Sequence, residues 1–225
     1  MAERAFVWTG GAIFVGSLAF CAWWFIVALG RSAPASGVQP LVFDALLFSA
    51  FAAHHSVFAR EGVKRWIAAT IPAELVRSVY VWIASALLVA MCASWRPIGG
   101  ELYAVHGVWA LLHAAVQLGG IVLIARAVAT IDPLELAGIH ASSDTAALQI
   151  GGPYRWVRHP LYLGWIMATL GAGHMTGDRF AFAIITAIYL FVAVPLEERS
   201  LVRSFGGDYA RYQRHVRWRI VPFIY

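Results

Sequence analysis

Apolar runs of about twenty residues, each closed by a basic or turn-forming loop, dominate this chain. A bilayer's hydrocarbon core is about 30 Å thick, and a helix rising about 1.5 Å per residue needs roughly 20 apolar residues to cross it. Within lipid each backbone N–H and C=O must pair inside the protein, so such runs have to be helices. Four runs fit: Val7 to Leu29, Leu41 to Ala59, Leu75 to Trp95 and Val105 to Thr130. A fifth region, Pro160 to Leu196, turns between His174 and Arg179 and supplies two shorter spans as a hairpin. The sequence therefore predicts an all-α, polytopic transmembrane protein of about six spans with a C-terminal helical hairpin. The tail from Glu197 to Tyr225 alternates basic and aromatic residues, which predicts an interfacial segment lying along the membrane surface. Ala33-Pro34-Ala35-Ser36 has the small residues of a signal-peptide cleavage site. The run before it is longer than a usual signal core, so it is read as a retained span.

Composition agrees. Of 225 residues 60% are hydrophobic and only 13% charged, where a soluble domain carries about a quarter. The net charge of +5 does not indicate nucleic-acid binding, because the basic residues sit in loops and follow the positive-inside rule. With six spans, fourteen of the 17 Lys and Arg residues fall on one side, and only Arg31, Arg96 and Arg179 on the other. This places both termini in the cytoplasm, with the bacterial inner membrane as the expected location. Cys21 and Cys92 lie in apolar runs and have neither disulfide nor metal spacing. His106 and His113, a heptad apart, have no partner for a metal or haem, and no metal is expected. The sequence is silent on oligomeric state.

The hairpin carries the polar chemistry. Gly151-Gly152-Pro153-Tyr154 runs into Arg158-His159-Pro160, where the apolar helix begins. Proline suits the first helical position, where its missing N–H costs nothing. The helix start then offers unpaired backbone N–H groups and the positive end of a helix dipole, with Arg158 and His159 beside it. Such a place holds a carboxylate or phosphate. The hairpin turn is about equally distant from Pro160 and from Glu197-Glu198, so the two ends should meet at one depth. Two acids facing an Arg, a His and a helix N-terminus suit a zwitterionic cofactor. The plainer alternative is a basic membrane edge neutralised by two acids.

Gly152-Pro153-Tyr154, Arg158-His159-Pro160-Leu161-Tyr162-Leu163-Gly164, Glu197-Glu198, Phe205-Gly206, Tyr209, Tyr212 and Val221-Pro222-Phe223 together resemble a superfamily of integral membrane methyltransferases. It is the isoprenylcysteine carboxyl methyltransferase and phospholipid methyltransferase superfamily. His55-Ser56-Val57, Ala59-Arg60, Lys64-Arg65-Trp66, Arg77-Ser78, Tyr80-Val81 and Trp95-Arg96-Pro97-Ile98 resemble its methanethiol S-methyltransferase branch. The resemblance implies S-adenosylmethionine as cofactor. It implies cofactor binding by Tyr154, Arg158, His159, Tyr162, Leu163, Gly164, Glu197 and Glu198. An Arg, His and helix N-terminus suit the carboxylate, Glu197 or Glu198 the ammonium or ribose hydroxyls, and Tyr154, Tyr162 or Trp165 the sulfonium.

Residues 1–130 are then a four-span membrane region with acceptor-side residues, and 131–225 the cofactor-binding core, in a single structural unit. His55 and Arg60 are the candidate catalytic residues. A histidine titrates near neutral pH and can take a proton from a thiol, while the alternative for His54-His55 is a packed, hydrogen-bonded pair. Ala146 stands near the position where carboxyl methyltransferases carry a His, which turns the expectation toward a thiol. The expected partners are a small-molecule or lipid-like acceptor and membrane lipids. Within the class, the alternatives are a prenylcysteine carboxylate or a lipid amine. Outside it, Arg219-Ile220-Val221-Pro222-Phe223-Ile224-Tyr225 also resembles the ending of NADPH-dependent membrane sterol reductases. A non-catalytic scaffold is the third possibility.

Overall fold

A computed structural model describes residues 1–58, 61–72, 75–131, 133–139 and 148–225, without the side chains of Glu61, Lys64 and Glu135. The described residues are helical apart from two short strands and the loops. Its elements are α1 (Ala2–Trp23), prolonged by a π-helical turn (Trp24–Ala28), α2 (Val38–Phe58), α3 (Glu61–Ala68), α4 (Val76–Ser94), β1 (Glu101–Ala104) and α5 (Gly107–Thr130). After them come α6 (Pro133–Leu136), a 3₁₀ turn (Gly152–Arg155), α7 (Pro160–Leu170), β2 (His174–Thr176), α8 (Gly177–Phe205) and α9 (Gly207–His215). Strands β1 and β2 pair with each other.

Among the described residues, five helices are long and apolar enough to cross a membrane: α1 with its π turn, α2, α4, α5 and α8. The chain is an all-α, polytopic membrane protein. The first arm of the hairpin, α7, is 11 residues long, about 16 Å at the usual rise. The return arm does not stop at the acidic pair. It runs for 29 residues and carries Glu197 and Glu198 inside the helix. Glutamate is a good helix former, so the acids do not break the ladder. Gly206 ends it, at φ +52°, a backbone conformation that side chains with a β-carbon rarely adopt.

The chain forms two compact units. The first comprises Met1–Glu101, Pro133–Asp144 and Thr176–Asp178. Here α1 packs on α4, with Phe6 stacked on Trp82 at 5.5 Å and the indole N–H donating to the Phe6 carbonyl at 3.2 Å. Buried Asp178 ties down the loop after α4, accepting from the Trp95 indole and from the backbone N–H groups of Ile98 and Gly99 at 2.9–3.1 Å. The Ser78 hydroxyl donates to the Gly138 carbonyl at 2.6 Å.

The second unit comprises Leu102–Asp132, Thr145–Met175 and Arg179–Tyr225. Its backbone centre is the crossing of α5 and α7. A β-carbon at Gly164 would lie 2.7 Å from the Gly120 carbonyl oxygen, and one at Gly120 would lie 2.6 Å from that of Gly164. Only glycine at both positions lets the helices approach this closely, the usual device of membrane helix pairs. The Gln117 side chain donates across the same crossing to the Ala168 carbonyl at 2.9 Å.

Candidate functional site

The second unit brings Arg158, His159, Tyr162, Glu197 and Glu198 into one cluster. Pro160 opens α7, and His159 is the residue before it. That places Arg158 and His159 at the mouth of the helix. The tail is hydrogen-bonded along this segment: Arg158 N–H donates to the Trp218 carbonyl at 2.9 Å and His159 N–H to that of Arg219 at 2.8 Å. The backbone of the motif is therefore held from the C-terminal side.

Glu198 is the centre of charge. It is 5% exposed. Arg158 Nε donates to Oε1 at 2.5 Å and Nη2 to Oε2 at 3.2 Å. His159 Nε2 lies 3.4 Å from Oε1, while Gln213 Nε2 and Arg219 Nε lie 3.3 and 3.2 Å from Oε2. The third arm of the Arg158 fork, Nη1, donates to the carbonyls of Val216 and Arg217 at 2.7 and 2.9 Å. Arg158 thus binds an acid in α8 and the tail backbone together. A planar guanidinium with five donors can do this; an ammonium cannot.

Glu197 is placed differently. Its side chain is 44% exposed. One carboxylate oxygen accepts from the Tyr162 hydroxyl at 2.7 Å and lies 3.6 Å from His159 Nδ1. The His159 and Tyr162 rings stack at 5.3 Å. His159 therefore touches both acids, one through each ring nitrogen. Tyr154 sits in the 3₁₀ turn, and its carbonyl accepts from the Tyr212 hydroxyl at 2.7 Å. Burial, with the Glu197 carboxylate adding to it, pushes the Tyr154 phenol up to about 12, so it stays protonated at neutral pH. Leu163 is half-buried in the first turn of α7, its N–H on the His159 carbonyl at 3.2 Å. Gly164 lies at the α5–α7 crossing.

Sequence reasoning assigned no role to Gln213 or Arg219, both of which contact Glu198, or to Tyr209 in α9. Tyr209 is 1% exposed and packs with Tyr212 and Val216. Its hydroxyl is buried with no hydrogen-bond partner among the described residues. Burial, then the Glu198 charge, holds this phenol above its ordinary value. Buried hydroxyls are nearly always paired, so this one stands out from the packing around it. The spacing of Tyr209 and Tyr212 within the recognised motif was the available signal.

In the first unit, His55 lies near the end of α2. Tyr80 Oη is 2.5 Å from His55 Nδ1. His54 stacks on Tyr80 at 5.6 Å and lies tilted against Phe58 at 4.3 Å, and both its ring nitrogens are buried without a hydrogen-bond partner among the described residues. Arg60 and Ala146 lie outside the described residues.

Residues 115–203 match the profile of the isoprenylcysteine carboxyl methyltransferase (ICMT) family. The chain is 34% identical over 190 residues to methanethiol S-methyltransferase 1 of Bradyrhizobium diazoefficiens, spanning 80% of this chain and 67% of that protein. It is 35% identical over 193 residues to methanethiol S-methyltransferase of Pseudomonas deceptionensis, spanning 81% and 73%. Human protein-S-isoprenylcysteine O-methyltransferase is 33% identical over 85 residues, 36% of this chain and 30% of that protein. No solved structure matches the chain.

Proposed function

The chain belongs to the isoprenylcysteine carboxyl methyltransferase family and is a membrane methyltransferase, and from that premise we propose that it methylates a small thiol with S-adenosylmethionine as donor. The observation that carries the cofactor reading is the division of labour between the two acids. Glu198 is consumed by Arg158, His159, Gln213 and Arg219, while Glu197 keeps a half-exposed carboxylate beside Tyr162. A half-exposed carboxylate suits an ammonium or ribose hydroxyls. The unpartnered Tyr209 hydroxyl and the neutral Tyr154 phenol suit the remaining polar and cationic groups of such a ligand. The donor set therefore fits the cofactor. We assign its binding to Tyr154, His159, Tyr162, Leu163, Glu197 and Tyr209, with Arg158, Gly164 and Glu198 holding the frame.

When bound, S-adenosylmethionine supplies a methyl group on a sulfonium sulfur. What the chain adds is orientation, exclusion of water and removal of the acceptor's proton. The relatives' name, methanethiol S-methyltransferase, supports a small thiol as acceptor. His55 is the proposed base, on the acceptor-side region 1–130. In the tautomer with Nδ1–H donating to the Tyr80 oxygen, the lone pair that takes the thiol proton is on Nε2, 3.5 Å from the same oxygen. Arg60 is carried as a second acceptor-side residue. With the short α7 counted as the sixth crossing, the excess of Lys and Arg on one side supports a cytoplasmic cofactor site and cytoplasmic termini.

The test is a labelled-methyl assay on purified protein with panels of thiols, prenylcysteines and lipid amines, paired with calorimetric binding of S-adenosylhomocysteine and of NADPH. Methyl transfer to a small thiol with S-adenosylhomocysteine binding is expected. Transfer only to a prenylcysteine or lipid amine overturns the thiol assignment, and binding of NADPH alone overturns the cofactor.

A further inference from the structure

The second unit holds a cleft of about 470 Å³ that the methyltransferase reading does not use. Its floor is the end of α5 and the turn leading to α7, with Leu123, Arg126, Thr130, Pro153, Arg155 and Trp156 around it. Gly152 brings the turn close to the helix: a β-carbon there would sit 3.2 Å from the Thr130 hydroxyl oxygen. Arg126 and Arg155 are exposed, and neither guanidinium has a hydrogen-bond or ion-pair partner among the described residues. Two unpaired guanidinium groups facing one cleft repel each other and call for an anion. The last carbonyls of α5 carry only about half a negative charge between them, too little to neutralise two full positive charges.

The surroundings say which anion. Below Arg126, in the preceding turns of α5, Leu118, Ile121 and Val122 are 49–61% exposed. They form an apolar face of a helix long enough to span a bilayer. Trp156 at the rim is 68% exposed, an amphipathic ring of the kind enriched at headgroup depth. Paired arginines for a phosphate, an apolar helix face for acyl chains and an interfacial Trp are the parts of one lipid seat.

We propose that this cleft binds one anionic phospholipid, its phosphate between Arg126 and Arg155 and its acyl chains along α5. The seat is separate from the Arg158–Glu198 cluster but shares the 3₁₀ turn with it: Arg155 faces the lipid, and the Tyr154 carbonyl is held by Tyr212. The proposal does not depend on which acceptor the enzyme methylates.

Native mass spectrometry of the full-length protein, loaded with equimolar phosphatidylglycerol and phosphatidylcholine, tests it. One phosphatidylglycerol should stay bound in preference to phosphatidylcholine. Each basic residue near a membrane anion contributes about a factor of five, so Arg126→Gln with Arg155→Gln should lower its retention by roughly 25-fold. Millimolar inorganic phosphate or glycerol 3-phosphate should not displace it. Equal retention of the two lipids, or unchanged retention in the double variant, overturns the seat. Displacement by inorganic phosphate shows a free-anion site and overturns the lipid. As an independent measurement on the unaltered arginines, brominated phosphatidylglycerol should quench tryptophan emission in excess of brominated phosphatidylcholine. That excess should vanish in Trp156→Phe, and its persistence there rejects the location.

Discussion

Arg158 and Glu198 meet as a buried two-point ion pair, Nε at 2.5 Å from one carboxylate oxygen and Nη2 at 3.2 Å from the other. Removing one partner of a buried pair strands the other and costs about 3–5 kcal/mol. Glu198→Ala should therefore lower the melting temperature in detergent sharply, and cofactor binding with it. Glu197→Gln should leave the melting temperature nearly unchanged yet weaken S-adenosylhomocysteine binding about tenfold, as expected for loss of one charge-assisted contact. Thermal scanning and calorimetry on the two variants separate the roles. Equal destabilisation by both would remove the distinction between a framing acid and a binding acid.

Tyr209 offers a sharper test, because its hydroxyl has no partner among the described residues to lose. Deleting an unpaired buried polar group is neutral or stabilising. Tyr209→Phe should keep or raise the melting temperature while weakening S-adenosylhomocysteine several-fold, about 1 kcal/mol for one neutral hydrogen bond. Unchanged affinity would take Tyr209 out of the site.

The glycine crossing should tolerate no β-carbon. Gly164→Ala puts a methyl 2.7 Å from the Gly120 carbonyl oxygen, where backbone must shift. A loss of about 1–3 kcal/mol is expected for such overpacking. Gly119→Ala, whose β-carbon would meet only the end of the Met167 side chain at 3.5 Å, is the control. Comparable melting temperatures for the two variants would show that the helices separate freely.

If His55 is the base, the thiol rate should carry its signature. The thiolate is the nucleophile, and solution supplies more of it as pH rises. His55→Ala should cut turnover more at pH 6.5 than at pH 9. Tyr80→Phe, which removes the partner of Nδ1, should give a smaller loss in the same direction. An equal loss at both pH values in His55→Ala would reduce this histidine to packing.

Alkaline stability should report on the tail. The Tyr154 phenol is raised from about 10 to about 12, chiefly by burial and then by Glu197. Tyr209 and Tyr212 are raised too, each chiefly by burial. A raised folded value means the contribution is complete below the unfolded value and disappears as pH climbs through the folded one. The melting temperature should therefore stay level up to about pH 10 and fall between about 10 and 12, with a shallower fall in Tyr154→Phe. A decline beginning at pH 8 would need another group.

Much of the protein was legible in the sequence. Backbone groups cannot be left unpaired in lipid, so apolar runs of sufficient length determine helices without knowledge of what they pack against. Pro160 marked the start of α7 because proline lacks the N–H that a helix start leaves unused. The rough symmetry of the hairpin about its turn anticipated the meeting of Arg158-His159 with Glu197-Glu198, although α7 stops at Leu170 and the more extended segment through β2 makes up the rest of the first arm. Tertiary structure decided what a one-dimensional pattern cannot encode. Neighbours in sequence, Glu197 and Glu198 project about 100° apart on α8, and packing against α9 and the tail buried one and left the other half-exposed. The same packing drew Gln213 and Arg219 to Glu198, orphaned the Tyr209 hydroxyl, and paired Gly120 with Gly164. These depend on the register between elements far apart in the chain, which side-chain volume and close packing settle only once the helices meet.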